Sequence, residues 1–516
     1  MSDTPTQTPT PQSVSTQTRR YPKLVYNPIS LFGAALATAI LFAILLLFGM
    51  DVTSDTSNPY LGVIGFAMLP VPLVIGLLMI PAGMYVEWRR EQRQGAVRRF
   101  PTLDMNRTEH RRALVTFVTG TVIFLFLTAG GSYKVYEYTE SVAFCGTMCH
   151  QVMEPEHTTY LNGPHARVAC VACHIGTGAE WYARSKLSGS YQVYSVLFHK
   201  YSQPIPTPVE NLRPARETCE QCHWPQKFHG DQMWEVGRFL PDEQNTRWAL
   251  RMAMRTGGAH TETGQVHGIH WHIAQKVEYV STDKARQEIR EVRFHQPDGT
   301  VEIYHETSRP LSDEERAALT PEQTRTLDCM DCHNRPSHQY LSPNHAMDKA
   351  LDAKLVPTDL PYIKREGANL LAVKYETREQ GVLAIKSNLQ AFYANNYPEV
   401  AKARAADVER AVEGVTHEFN TYFFPYMKAR WDVYPSNIGH LEYPGCFRCH
   451  NGNMTTAAGK VIRHECDLCH AILAQGPGAP EIATQSAAGV EFTHPVDIGD
   501  AWRDTACNDC HTGTPQ

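Results

Sequence analysis

The stretch FCGTMCHQVMEPE, residues 144–156, opens the part of the chain that holds every cysteine. In it, Cys145 and Cys149 are followed directly by His150. Six further pairs repeat this order with two residues between the cysteines, and C-x-x-C-H is the attachment signature of c-type haem. The seven motifs, numbered one to seven along the chain, are Cys145/Cys149-His150, Cys170/Cys173-His174, Cys219/Cys222-His223, Cys329/Cys332-His333, Cys446/Cys449-His450, Cys466/Cys469-His470 and Cys507/Cys510-His511.

Other cysteine chemistry explains this pattern poorly. Zinc ribbons also use C-x-x-C pairs, but tetrahedral zinc does not require a histidine after each pair. Disulfide frameworks are typical of short secreted chains, and a thioredoxin-like motif would account for one pair only. All fourteen cysteines belong to the motifs, so we predict seven haem c groups. Motif one has an extra spacer residue, which the attachment machinery must accept.

The composition averages two unlike regions. The chain has 516 residues, a formal net charge of −6 and a mean hydropathy of −0.35. Residues 1–28 begin with a stretch rich in Thr, Pro, Gln and Ser, which predicts a disordered cytoplasmic tail. A strongly apolar region follows. The net charge is too small to indicate a partner, and we do not expect the protein to bind nucleic acid.

Three uncharged apolar runs lie at about 29–50, 60–86 and 113–131. Each reaches or approaches the ~20 residues of a spanning helix, and three in succession with charged flanks are poorly explained as buried core helices. We therefore predict a three-helix transmembrane anchor at 29–131. Pro70, Pro72 and Pro81 predict a kinked or locally unwound second helix.

The loops predict how the anchor is oriented. Residues 87–112 carry eight arginines against four acidic residues, whereas the loop after the first run has two aspartates and no basic residue. Positively charged loops stay on the cytoplasmic side. The N-terminus is thus predicted to be cytoplasmic and the motifs periplasmic, outside the cytoplasmic (inner) membrane, where haem c is attached.

The rest of the chain divides by motif density. We predict an N-terminal three-haem region at 132–230, a middle region with motif four at 231–430, and a C-terminal three-haem region at 431–516. Residues 276–306 alternate apolar and polar side chains around a Pro-Asp-Gly turn, which indicates a β-hairpin, and 363–412 have a helical composition. The expected fold is a membrane-anchored multihaem cytochrome c: three transmembrane helices plus a mostly irregular and α-helical haem-packed domain with a small β-hairpin insertion.

The contexts of the motifs resemble those of the NapC/NirT-type membrane-anchored multihaem cytochromes, above all the heptahaem inner-membrane cytochromes of metal-respiring bacteria, the ImcH type. The stretches that carry this resemblance are FCGTMCHQVMEPE, GPHARVACVACHIGTG, RPARETCEQCHWPQKFHG, GIHWHI, CMDCHNRPSHQ, YPSNIGHLEYPGCFRCHNG and THPVDIGDAW. Simpler members of the family have one anchor helix, four haems and a C-x-x-C-H first motif followed closely by methionine, so this chain departs from their pattern.

Each haem iron needs a sixth ligand in addition to its motif histidine. Position near a motif and the resembling stretches favour six histidines: His165, His270, His272, His338, His440 and His494. If the segment with His270 and His272 is a strand, both would lie on one face. For motif one we predict Met153, with Met148 as the weaker alternative, or an open iron. His464, Met454 and His417 are reserves.

The resemblance implies oxidation of the membrane quinol pool by a quinol dehydrogenase, with an extracytoplasmic cytochrome or reductase as electron acceptor. Quinol oxidation releases protons as well as electrons, so a proton acceptor is expected beside motif one. The candidates are Lys134, Glu137 and Glu140, with Glu154 and Glu156 beyond the motif; all of them could equally be solvated interface residues. Two alternative functions remain open: a terminal reductase with an open-coordination haem, and a relay subunit of a larger respiratory complex.

Overall fold

The computed structural model describes residues 23–53, 68–93, 104–176, 178–209, 212–224, 230–259, 266–484, 486 and 488–514. The predicted tail (up to residue 22), the start of the second apolar run and residues 94–103 of the arginine-rich loop lie outside the described residues. The chain forms two compact units, Met1–Phe144 and Cys145–Gln516. They are called the anchor unit and the haem unit below.

Three helices of the anchor unit are long and apolar enough to cross a bilayer, as predicted. They are Pro28–Thr53, Pro70–Arg93 and Thr108–Thr139. The second helix begins at Pro70 and continues through Pro81 to Arg93, so the unwinding expected from its prolines is not seen in the described part.

Small residues bring the first two membrane helices into close contact. A Cβ atom on Gly33 would lie 2.6 Å from the carbonyl oxygen of Gly76, and one on Gly83 would lie 2.5 Å from Oγ of Ser30. Ser30 Oγ also donates a hydrogen bond of 2.8 Å to the Ile80 carbonyl. Lipid provides no hydrophobic drive for helix association, so such close backbone packing and polar contacts hold the two helices together.

The main core of the haem unit lies among helices of its middle region. These helices are Pro343–Asp352, Ile363–Ala372, Arg378–Asn396, Pro398–Ala403 and Ala405–Tyr422, which confirms the helical character predicted for 363–412. Fully buried side chains such as Leu351, Leu389 and Phe419 fill the space between them. Val152 of the helix His150–Leu161 joins the same core. Motif one is thereby anchored to the middle of the haem unit.

The predicted hairpin is present within a larger sheet. Strands β5 (Lys276–Ser281), β6 (Ile289–His295) and β7 (Val301–Glu306) are antiparallel neighbours, and β6 turns into β7 at Gly299, whose φ of 88° suits glycine. Strands β8 (Thr324–Thr326) and β9 (Met454–Thr455) complete the order β8-β5-β6-β7-β9.

A second sheet was not predicted. Strands β1 (Gln232–Phe239) and β2 (Arg247–Met254) form an antiparallel pair, and β10 (His470–Pro477) joins β2. A short pair, β3 (Gly258–Ala259) and β4 (Val266–His267), follows β2. Because β10 begins at the motif histidine His470, this sheet fixes motif six against a segment more than two hundred residues earlier.

The remaining helices of the described residues are short or flank the motifs. They are Val142–Thr147, His150–Leu161, Cys170–His174, Ala179–Leu197, Ala215–Cys219, Trp271–Ala274, Asp313–Ala317, Cys329–Cys332, Ala501–Asp504 and Cys507–Cys510, with 3-10 turns at Lys23–Val25, Pro321–Gln323, Gly445–Arg448 and Cys466–Leu468.

Candidate haem-binding sites

Several motifs share one local conformation. The backbone N–H of the histidine donates to the carbonyl of the first cysteine, as in His223 to Cys219 (2.8 Å) and His333 to Cys329 (2.8 Å). The same bond is found in motifs five and seven. One closed helical turn brings residues four apart onto one face, so the imidazole and the first thiol lie together. This is the arrangement that covalent attachment and iron binding from one segment require.

The motif histidines of motifs two to seven each face a second histidine. The facing pairs, with the distances between their ring centroids, are His174 and His338 (6.3 Å), His223 and His165 (6.1 Å), His333 and His270 (6.4 Å), His450 and His272 (5.7 Å), His470 and His440 (6.3 Å), and His511 and His494 (6.0 Å). The second member of each pair is one of the six histidines named from the sequence.

The spacing of the facing pairs fits a haem iron between two imidazoles. Metal–imidazole bonds are about 2 Å long, so two coordinating nitrogens stand about 4 Å apart and the ring centroids about 6 Å apart. Imidazoles in direct stacking contact would be closer than this. The pairs therefore have the separation that a bis-histidine haem requires, and the chain's own residues fit the cofactor that the motifs call for.

His270 and His272 serve different motifs. The expectation that they share one face of a strand is wrong, because Trp271–Ala274 is a short helix that has His270 as its N-cap. Residues two apart on a helix are separated by about 200° around its axis, so the two rings point in different directions. His270 consequently faces motif four and His272 faces motif five.

Hydrogen bonds orient most of the facing imidazoles. Nδ1 of His165 lies 3.0 Å from the Pro336 carbonyl, and Nδ1 of His338 lies 2.9 Å from that of Glu156. Since a carbonyl oxygen can only accept, the ring nitrogen donates, which leaves Nε2 to bind the iron. Such outer hydrogen bonds fix the tautomer and the ring orientation of a ligand histidine.

Burial also favours the iron-binding form of these imidazoles. Removal from water lowers the pKa of five of them below the ordinary histidine value, because desolvation disfavours the charged ring. They are His272, His440, His450, His470 and His511. The neutral imidazole is the form that coordinates metal.

Motif one has a longer spacer than the other six and its own neighbouring side chains. Met153 lies half-buried in the first turn of the helix His150–Leu161, and Met148 lies in the turn before it. His157, which we did not predict, packs on the motif: a Cβ atom on Gly146 would lie 2.3 Å from Cδ2 of the His157 ring. The signal in the sequence was a histidine two helical turns after His150, opposite a glycine in the spacer. Met148, Met153 and His157 are therefore the candidate side chains at this motif.

The reserve ligands lie in different places. His464 contacts Gly452, close to motif five, and Met454 is fully buried in the core of the five-stranded sheet. His417 is exposed on the helix Ala405–Tyr422. No motif histidine of the described residues pairs its ring with His417, so we do not assign it a ligand role.

The motifs adjoin one another in chain order. Cys145 and Cys170 are in hydrogen-bond contact, as are Cys219 and Cys329, which joins motifs one and two and motifs three and four. The thiols of the other consecutive motifs are near enough for their charges to interact: Cys173 with Cys222, Cys332 with Cys446, Cys469 with Cys446, and Cys507 with Cys466. Every motif of the haem unit thus has its sequence neighbours beside it.

Side chains in the spacers reinforce this contiguity. Arg448, from the spacer of motif five, donates 2.6 Å to the carbonyl of Asp331 in the spacer of motif four. The Asp331 carboxylate is buried and accepts from Tyr279 Oη (2.6 Å) and Arg325 Nε (2.8 Å). A buried carboxylate with several donors is costly to disturb, so motifs four and five are rigidly joined through the sheet.

The polar residues predicted near motif one all have interactions. Lys134 Nζ lies 2.7 Å from the Glu137 carboxylate on one exposed helix face, and Glu140 is the C-cap of the third membrane helix. Glu154 pairs with Arg378 at 2.5 Å. The Glu156 carboxylate lies 3.2 Å from Nδ1 of His338.

Two comparisons with known proteins match the chain. The model of the NapC/NirT cytochrome c family, N-terminal region, matches residues 107–206. The cytochrome c-type protein ImcH of Geobacter sulfurreducens is 42% identical over 493 residues, which cover 94% of this chain and 95% of that protein. No solved structure matches the chain. With its membrane helices, C-x-x-C-H motifs and facing histidines, the chain belongs to the NapC/NirT cytochrome c family, as a membrane-anchored, electron-transferring cytochrome of the ImcH type.

Proposed function

We propose that this protein oxidises membrane quinol and passes the electrons along seven haems to a redox partner outside the cytoplasmic membrane. Bound haem supplies one-electron redox chemistry at each motif. The observation that carries the proposal is the unbroken contiguity of the motifs, from motif one directly after the third membrane helix to motif seven near the end of the chain.

The six facing histidine pairs are the proposed axial ligands of motifs two to seven. With both axial positions filled by histidine, an iron transfers electrons but offers no position to a substrate. His470 with His440 and His511 with His494 close the C-terminal group in this way. This weighs against a terminal reductase that would need an open haem there.

Motif one is the proposed point of electron entry. Its candidate partners include the thioethers of Met148 and Met153 as well as His157, and it directly follows the anchor unit in the chain. A thioether ligand would raise its potential relative to a bis-histidine haem. We assign Lys134, Glu137 and Glu140 to the quinol site, since deprotonation of quinol needs a base and hydrogen-bonding groups.

The proposed orientation follows from charge. The arginine-rich segment 87–112 stays in the cytoplasm, which places the N-terminus in the cytoplasm and the haem unit in the periplasm. A reporter fused at the C-terminus that is active only in the periplasm tests this directly. Activity of a cytoplasmic reporter at the same position would contradict the orientation.

The test of quinol oxidation uses the full-length haem-loaded protein in lipid nanodiscs. A quinol analogue is mixed with the oxidised protein, and haem reduction is followed by absorbance. We expect rapid reduction by quinol, and a rate at least about tenfold lower in Glu137→Gln and Lys134→Met, in line with the loss of one general acid–base group. Reduction by dithionite should be unchanged in both variants.

Glu180→Gln is the matched control, because Glu180 forms a similarly exposed ion pair with Arg184 on another helix, at 2.7 Å. Its quinol-driven rate should equal that of the unmodified protein. Wild-type rates in both Glu137→Gln and Lys134→Met would remove these residues from the site. If quinol fails to reduce the unmodified protein while dithionite succeeds, the chain is a relay subunit and quinol chemistry belongs to another protein.

A further inference from the structure

The facing histidine pairs differ in what their Nδ1 atoms bind. In five pairs at least one Nδ1 is within hydrogen-bond distance of a backbone carbonyl, and in the pair of motif five both are. The bonds are His165 to Pro336 (3.0 Å), His270 to Thr256 (3.0 Å), His272 to Ile269 (2.7 Å), His338 to Glu156 (2.9 Å), His450 to Arg463 (2.6 Å) and His494 to Val496 (2.7 Å).

The pair of motif six, His440 and His470, is different. Nδ1 of each ring is covered by protein atoms, and neither has a hydrogen-bond partner among the described residues. The His440 ring is approached by its own backbone carbonyl, but not in hydrogen-bond geometry. Buried ring nitrogens of this kind are uncommon, because most buried polar atoms in native proteins are paired.

The surroundings explain how the two nitrogens stay covered. Phe447 stacks on the His440 ring with centroids 4.4 Å apart and an angle of 16° between the planes. His470 begins β10 and is paired in the sheet with Met254, so its backbone is fixed. Arg255, the next residue, donates its backbone N–H to the Cys469 carbonyl at 2.8 Å, and its cationic side chain is close enough to interact with the His470 ring.

The missing Nδ1 acceptors and the nearby Arg255 side chain both favour the ferrous iron of motif six. An imidazole that donates Nδ1–H to a carbonyl is a more basic ligand and stabilises the ferric state. Two imidazoles without such acceptors are weaker donors and favour the ferrous state. A nearby arginine also favours the ferrous state, since reduction removes one positive charge from the iron. The two effects therefore add.

We propose that the haem of motif six has the highest reduction potential of the six haems with facing histidine pairs, and that the electron is held there before it leaves through motif seven. Among these six haems, the largest step then falls between motif five, where both imidazoles have acceptors, and motif six, where neither has one. This inference rests on the proposed ligand pairs and is independent of whether quinol is the electron donor.

The test is a potentiometric titration of the full-length haem-loaded protein in detergent, followed by optical and electron paramagnetic resonance spectra. His440→Met changes one axial ligand and so identifies the signals of motif six. Those signals should be the first among the bis-histidine haems to be reduced. Arg255→Gln should then make that haem harder to reduce, raising its oxidised-to-reduced ratio at a fixed potential about tenfold, which is about 59 mV for one electron.

Arg251→Gln is the matched control, since Arg251 lies on β2, which ends directly before Arg255, and pairs with Glu235 at 2.9 Å. It should shift no haem. If His440→Met alters a signal that is reduced late in the titration, or if Arg255→Gln shifts it no more than Arg251→Gln does, the proposed order of potentials is wrong. If His440→Met leaves every signal unchanged, the ligand pairing itself is wrong.

Discussion

Nδ1 of His338 lies 2.9 Å from the backbone carbonyl of Glu156 and 3.2 Å from its carboxylate. This contact joins the segment after motif four to the helix that begins in motif one. It also places a carboxylate beside the facing pair of motif two, because His338 faces His174. Glu156, one of the candidate proton acceptors named from the sequence, contacts a candidate iron ligand.

Replacement of Glu156 by Gln should make the haem of motif two easier to reduce. A negative charge beside the ligand stabilises ferric iron, so its loss should raise the reduction potential of this haem. We expect a tenfold lower oxidised-to-reduced ratio at a fixed potential, which corresponds to about 59 mV. Potentiometric titration measures the shift. Glu409→Gln, which changes an exposed pair with Lys386, is the control and should shift nothing.

Replacement of His494 by Ala should open one axial position of motif seven. His494 faces His511 at 6.0 Å and is the proposed sixth ligand there. We expect one low-spin signal to be replaced by a high-spin signal in the electron paramagnetic resonance spectrum, with the haem content unchanged. His417→Ala is the control, because His417 is exposed on a helix. An unchanged low-spin spectrum in His494→Ala would show that another group binds this iron.

Replacement of Trp271 by Ala should disturb motifs four and five together. Trp271 separates His270 from His272, and its ring packs on Phe294 with centroids 5.1 Å apart. For a half-buried tryptophan we expect a loss of about 2 kcal/mol, below the ~3–5 kcal/mol of a fully buried one. Two sets of low-spin signals should shift in one variant.

Phe392→Ala is the control for this substitution. Phe392 packs on Tyr393 in the helical core, and its loss should lower the unfolding temperature without moving any haem signal. If Trp271→Ala shifts only one set of signals, the two ligands do not depend on a common support.

The buried carboxyl of Glu418 should make stability depend on pH. Glu418 is fully buried, both of its carboxyl oxygens lack hydrogen-bond partners in the described part, and burial raises its pKa to about 7. Lys349 and Tyr422 are charged and titratable groups that interact with it. The folded state then binds more protons than the unfolded state between about pH 4.5 and 7, so stability falls as pH rises through this window.

Glu418→Gln removes that dependence. At about 1.4 kcal/mol per pKa unit, the wild-type protein loses at most about 3.5 kcal/mol of stability by the time the pH exceeds 7. We therefore expect the unfolding temperature of the variant to exceed that of the wild type by more at pH 8 than at pH 5, as measured by circular dichroism. Glu413→Gln, exposed on the same helix, should gain equally little at both values. An equal gain for Glu418→Gln at the two values would contradict a raised pKa.

The motifs, the membrane helices and the hairpin could be predicted because each depends on residues that are close together in the sequence. Attachment needs cysteines at a fixed spacing, spanning needs one apolar run, and β6 and β7 are joined by a short turn. The six histidines could be named for a related reason, since most of them lie near a motif in sequence. Ligation itself remains a prediction, to be tested as described above.

The pairing of those histidines and the second sheet could not be predicted. His338 follows motif four yet faces motif two, and His165 precedes motif two yet faces motif three. Likewise β2 pairs with β10 across the middle region. These pairings depend on how distant segments pack in three dimensions, and no periodic pattern in the sequence indicates them. The sequence did not indicate His157, because its contact with Gly146 depends on the bend between two helices.

The crossed histidine pairs also have a consequence for biogenesis. In the proposed orientation the haem unit crosses the membrane in N-to-C order, so His174 emerges early and His338 more than a hundred residues later. Under the proposed ligand pairs, a haem at motif two would lack its partner imidazole until motif four has crossed the membrane, whereas a haem at motif three would have His165 available already. Maturation is then tied to the progress of translocation, and a truncated product ending before His338 should carry covalently bound but incompletely ligated haem.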